Sequence, residues 1–128
     1  MSVGKLCAQV CHASMAFLSH WIRDNMNFGG YVSGFFDDCT VDWFTGSFTK
    51  TVCEAKNRRS LEKVIKYANE LGLRENEDFW LIKDNCLTEL EPEEIDENGK
   101  GRTLTCIGFR PLADELAHEI SKHFQLYK

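Results

Sequence analysis

The stretch that most limits what this chain can become is GKLCAQVCHASMAFL, residues 4–18. Leucine, valine, phenylalanine, alanine and cysteine cover most of its helical circumference, which predicts a helix held against other elements rather than one bathed in water. Lys5, Gln9 and His12 interrupt it on one stripe about 60° wide. A polar side chain in such company is hydrogen-bonded or wet. The three therefore line a buried network, a groove or a strip of ordinary surface.

The same stretch is a poor targeting segment, because Gln9 and His12 break the apolar run and no basic region precedes Lys5. Nor does any stretch approach the ~20 apolar residues of a spanning helix, so no membrane partner is expected. Six cysteines without a secretory signal suggest reduced thiols and a cytoplasmic location. With 128 residues and 43% apolar content, one domain spanning residues 1–128 is expected, with enough material for a packed interior.

A net charge of −5 does not advertise a nucleic-acid binder, so local clusters must carry any such role. Lys56, Arg58 and Arg59 form one basic cluster, Lys100 and Arg102 another, while acids crowd residues 89–97. Segregation of this kind either leaves a positive face on an acidic protein or is a set of solvated loops.

Along the chain, the pattern predicts a helix from Val3 to Arg23 and then a glycine-rich, aromatic connection, NFGGYVSGFFDDC. Residues 47–55, SFTKTVCEA, alternate like a strand. A helix follows with Ser60 as N-cap, an apolar face of Leu61, Val64, Ile65, Ala68 and Leu71, and Gly72 as its stop. Residues 79–83, FWLIK, suit an inner strand, and residues 102–109, RTLTCIGF, make the next. Pro111 fits the first turn of a final helix, in which Leu112, Leu116, Ile120 and Phe124 recur at fourfold spacing. The order predicts an α/β domain, three-layer-like, with a small mixed β-sheet flanked by helices.

Cys7, Cys11 and His12 tempt a zinc assignment. Cys11 and His12 point about 100° apart on a helix, however, and no second ligand pair completes a site, so the cysteines are read as core packing and no metal is expected. ELEPEEIDENGKG, residues 89–101, lacks the ligand alternation of a calcium loop and reads as a solvated turn. The better chemistry lies in IKDNCLT. Asp84 falls at a strand end, where crevices form in α/β sheets, with Thr88 four residues on and Thr103 opening the next strand. A carboxylate, two hydroxyls and an ammonium can hold a water, orient it and stabilise an oxyanion. Aspartate and threonine are also common turn residues, so spacing alone leaves this open.

GKLCAQVCHASM resembles the glycine-lysine, alanine-glutamine, histidine-alanine signature of the first helix in peptidyl-tRNA hydrolases of the second, archaeal and eukaryotic, type. WFTGSFTKTV is similar to that family's second strand, ANELGL to a helix end, DNCLT to its aspartate-x-x-x-threonine turn and RTLTCIGFRP to its last strand. The resemblance runs in order through essentially the whole chain. It implies hydrolysis of the ester between peptide and the terminal ribose of tRNA, with peptidyl-tRNA as partner and no cofactor. Residue by residue, it puts Lys5, Asp84, Thr88 and Thr103 in the positions tied to activity. It makes Gln9 and His12 lining residues, and tRNA the natural partner of Lys56, Arg58, Arg59, Lys100 and Arg102.

Family members place a hydrophobic strand before the first helix, and this sequence starts after it. The expectation is a sheet lacking the family's first strand, with an apolar edge that weakens the fold and invites self-association, a homodimer being one form. Two other functions compete with hydrolysis: a non-catalytic module of the same fold that grips tRNA or a protein, and a thiol or metal protein built on the cysteines.

Overall fold

The computed structural model describes residues 1–84, 94–95 and 101–128. Helix α1 (Val3–Asn25) starts where Ser2 Oγ accepts the Lys5 backbone N–H at 3.2 Å. After a 3₁₀ turn at Phe28–Gly30 come α2 (Asp38–Thr45), α3 (Arg58–Glu70), β1 (Phe79–Asp84), β2 (Glu94–Ile95), β3 (Gly101–Phe109) and α4 (Asp114–Ser121). The strands run in the order β1-β3-β2. Both pairings are antiparallel, whereas the sequence led us to expect a mixed sheet. No helix among the described residues is long and apolar enough to cross a membrane.

Helices cover both sheet faces, as expected of an α/β domain. On one face Ala16 and Phe17 of α1 bury Trp80, with Leu18, Ile82 and Trp43 of α2 packed around them. On the other, Ala68 of α3 and Ile120 of α4 close over Leu73 and the fully buried Phe79. The fourfold row read from sequence is the inner face of this second layer: Leu112, Leu116 and Phe124 pack against the same core as Ile120. Gly72, at φ 82°, ends the helical run as the sequence predicted, in a left-handed conformation that strains any residue with a Cβ.

Helix α1 reaches the sheet through a glycine. A Cβ at Gly108 of β3 would overlap the carbonyl of Ala13, so only glycine lets the helix lie this close to the strand.

Several local expectations need correction. Residues 47–55 do not join the sheet. They make a lone bridge, Cys53 to Leu126, while Thr49 O accepts the Trp43 indole at 2.7 Å and Phe48 O accepts Lys50 Nζ at 3.0 Å. Phe48 also breaks the extension with φ 54°. Asn57, not Ser60, caps α3, its side chain accepting the Ser60 N–H at 2.9 Å. Helix α2 takes the last two residues of the predicted connection and the start of WFTGSFTKTV, the stretch similar to the family's second strand; Asp37 caps it through the Thr40 N–H, and Gly46 follows its last turn. Pro111 precedes α4 rather than opening it. Within the acidic run read as a turn, residues 94–95 form β2.

The cysteine reading fails as well. Cys7 and Cys11 are exposed, and Val3 and Met15 of the same helix are 78% and 53% exposed. Helix α1 turns its polar stripe partly inward and leaves oily side chains in solvent, because the sheet below that stripe offers polar partners.

Candidate active site

The inward face of α1 delivers Lys5 to the end of β1. Lys5 Nζ lies 2.6 Å from Asp84 Oδ1, with the lysine side chain 18% exposed and the aspartate 7%. Gln9, one turn further along α1, presents Nε2 to the same oxygen at the longer distance of 3.5 Å. Its amide orientation follows from chemistry: a carboxylate only accepts, so the NH₂ faces Asp84 while Oε1 accepts the Thr105 hydroxyl at 2.7 Å. Gln9, Asp84 and Thr103 are all buried.

A bulge makes this arrangement fit. Strands β1 and β3 pair evenly from Phe79↔Phe109 to Ile82↔Cys106, then shift so that Lys83 faces Leu104 and Asp84 faces Thr103. Thr105 is the extra residue. Its hydroxyl stands 3.1 Å from Ile82 O as well as near Gln9, at the point where the ladder is interrupted. Bulges of this type re-aim side chains beside sites. Here the bulge seats Thr103 directly across from Asp84, at the strand end facing Lys5.

The structure thus brings together Lys5, Gln9, Asp84 and Thr103. His12 stands exposed, and no hydrogen bond or ion pair among the described residues ties it to the Lys5–Asp84 pair. Thr88 and Lys100 lie outside the described residues, and Arg102 is described only by its place in β3 opposite Glu94. Lys56 and Arg59 are exposed at and before the start of α3, in the layer across the sheet from α1, and Arg58 Nε pairs with Glu62 at 3.3 Å.

Cys106, behind the bulge, has its thiol pushed above the ordinary 9.0 by burial, against a smaller opposing effect from its bond with Thr105, and so stays protonated near neutral pH. What remains is a carboxylate and an ammonium in contact, steadied by an amide and flanked by a hydroxyl residue. That set suits activation of water against an ester or similar carbonyl.

Comparison with known proteins decides the family. The family model described as Peptidyl-tRNA hydrolase PTH2 matches residues 1–127. This chain belongs to that family. A peptidyl-tRNA hydrolase of Thermococcus onnurineus (strain NA1) is 31% identical over 126 residues, 98% of this chain and 86% of that protein. The peptidyl-tRNA hydrolase of Methanopyrus kandleri is 29% identical over 116 residues, 90% of this chain and 78% of its own length. That of Nanoarchaeum equitans is 28% identical over 124 residues, 97% and 87%.

Two residues of this PTH2 chain that shape the site escaped the sequence reading. Thr105 differs from Thr103 by one strand repeat, and nothing in a period-two pattern announces a bulge between them. Gly108 carried a signal, a lone glycine inside a strand pattern, which marks close backbone approach.

Proposed function

We infer that this chain hydrolyses the ester bond joining a peptide to tRNA, freeing the tRNA, as its membership of the PTH2 family supports. The observation that carries the reading is the 2.6 Å contact of Lys5 with Asp84, two residues far apart in sequence and brought to one strand end. Asp84 orients the attacking water and takes its proton. Thr103 and Thr88 position that water or the ribose oxygens, and Lys5 neutralises the oxyanion as the carbonyl becomes tetrahedral. Collapse of that intermediate expels the ribose oxygen, which takes up the proton that Asp84 removed from the water. Gln9 holds Asp84 in place and His12 lines the approach. Lys56, Arg58, Arg59, Lys100 and Arg102 meet phosphates.

We read the chain as one cytoplasmic domain that pairs with a second copy; Val3, Met15 and Phe28 are among its exposed apolar side chains. Sedimentation of the purified chain checks it. Deacylation of N-blocked aminoacyl-tRNA, run beside Asp84→Ala, tests the activity. Release by the parent and none by the variant is expected. Retention of tRNA without release would mark a binding module instead.

A further inference from the structure

In a chain of net charge −5, residues 56–66 carry five cations and one carboxylate. Helical spacing occupies two of those cations: Arg58 meets Glu62 at 3.3 Å and Lys66 meets Glu70 at 4.0 Å, each one turn on. Lys63 has Tyr67 at that place instead. Neither Lys63 nor Lys56 is held in an ion pair among the described residues, and both are exposed. The two lysines line a hollow of about 310 Å³ between α3 and residues 123–125, together with Ser60 of the same helix and Glu54 of the segment before it.

The remaining wall is a stacked pair. The His123 ring lies 4.0 Å from that of Tyr67 with 11° between their planes, and Phe124 meets Tyr67 edge-on at 6.3 Å. Phe124 in turn packs on the core shared by α3 and α4. The chain beyond is tied back as well: the Glu54 N–H donates to Gln125 O at 2.8 Å and the Tyr127 N–H to Val52 O at 2.9 Å. The platform is therefore fixed before anything binds. His123 is exposed with one face on Tyr67, which leaves its other face for a further ring. The hollow also lies at the right end of the sheet. Ala68, near the end of α3, packs with Phe79 at the start of β1, so α3 opens towards the end of β1 that carries Asp84.

We propose that this hollow binds one unpaired nucleotide of the tRNA strand, its base stacked on His123 and its phosphate met by Lys56, Lys63 and the Ser60 hydroxyl. Cations alone would suit any polyanion, an RNA duplex or an acidic peptide included. A flat ring beside them selects a base and its phosphate together, the combination by which proteins hold single strands. A volume of about 310 Å³ is at the small end of ligand pockets and takes one such unit rather than a helix. Glu54, in the same wall, repels the phosphate and limits the affinity. That the strand is tRNA rests on the hydrolase reading; that the hollow takes a nucleotide does not. Contacts made here, across the sheet from the reacting ester, hold substrate and transition state alike and so act on KM rather than kcat.

The test follows the His123 ring protons of the whole chain by NMR, assigned with His123→Ala. A 5′-phosphorylated RNA tetranucleotide should shift them upfield, as a ring stacked above them does, and AMP should do the same at higher concentration. Inorganic phosphate should not. His123→Ala should weaken the tetranucleotide about tenfold. Lys56→Gln with Lys63→Gln should weaken it as much and flatten its salt dependence, whereas Glu54→Gln should tighten it. With N-blocked aminoacyl-tRNA, His123→Ala should raise KM about tenfold and leave kcat within about twofold. Ring protons that stay in place, an equal shift with inorganic phosphate, or equal binding of an RNA duplex would overturn the proposal even if the parent releases tRNA. Binding of the tetranucleotide as described by a chain that releases none would uphold the nucleotide site and sink the hydrolase reading instead.

Discussion

The Thr105 hydroxyl lies 2.7 Å from Oε1 of Gln9, and that bond decides which end of the amide Asp84 meets. Removing the donor while keeping the shape separates positioning from chemistry. Thr105→Val should leave the buried Oε1 unpaired, cost about 1–3 kcal/mol in urea unfolding, and lower kcat several-fold with KM nearly unchanged. Thr105→Ser, which restores the hydroxyl, should recover most of kcat. Loss in both variants alike would mean that the methyl group, not the hydrogen bond, matters.

Lys5→Ala should slow release of peptide from tRNA on the order of 100-fold or more, the usual effect of deleting an oxyanion donor worth about 2.7–4 kcal/mol. It should also lower the melting temperature, because Asp84 stays buried without its cation, a loss of about 3–5 kcal/mol for a buried pair. Single-turnover rates on the folded fraction distinguish the two effects. A slowing under threefold removes Lys5 from the reaction.

Gly108→Ala puts a methyl group onto the Ala13 carbonyl, which is backbone and cannot swing aside. Overpacking of this kind costs about 1–3 kcal/mol, read as a lower urea midpoint at unchanged slope. Since the displaced helix carries Lys5, activity should fall with it even where the fold survives. Unaltered stability would show that α1 and β3 have slack between them.

Acid should find Asp78. Burial pushes its carboxyl up, but the Arg74 backbone N–H and the Arg110 guanidinium together outweigh this and hold it below the ordinary 3.8. A folded value below the unfolded one means stability that is present above about pH 4 and is lost as pH falls through the folded value. Asp78→Asn should therefore melt lower than the parent at pH 7, and the gap should narrow from pH 4 downward. A gap of constant width from pH 7 to pH 3 would contradict this.

How far the sequence could be read depended on whether a residue's partner was local. Phe79 to Asp84 were readable as a strand with its carboxylate at the end because a short apolar run bounded by turns carries its own signal, and the Lys5–Gln9 stripe was readable because helical spacing is fixed. Residues 47–55 misled for the opposite reason: alternation predicts a strand, but ladder pairing depends on a neighbour that propensity does not supply, and this segment makes one bridge, Cys53 to Leu126. The exposed Cys7 and Cys11 show the same limit. Counting apolar residues around α1 suggested which side is buried, whereas the sheet's polar Thr105 and Asp84 decided it. Helix α2 was hidden by the glycines before it, although Asp37 and Gly46 marked both its ends.

The meeting of Gly108 with Ala13 has a mechanical consequence. Ala13 acts as a fulcrum partway along a rigid rod, with Lys5 and Gln9 on one arm and Phe17, His20 and Trp21 on the other. Lys5 stands about 12 Å from that pivot, so a tilt of about 5° swings its backbone by about 1 Å. A displacement of that size can cost a misaligned catalyst about 100-fold. The fit of Gly108 against Ala13 thus bears on where the ammonium stands.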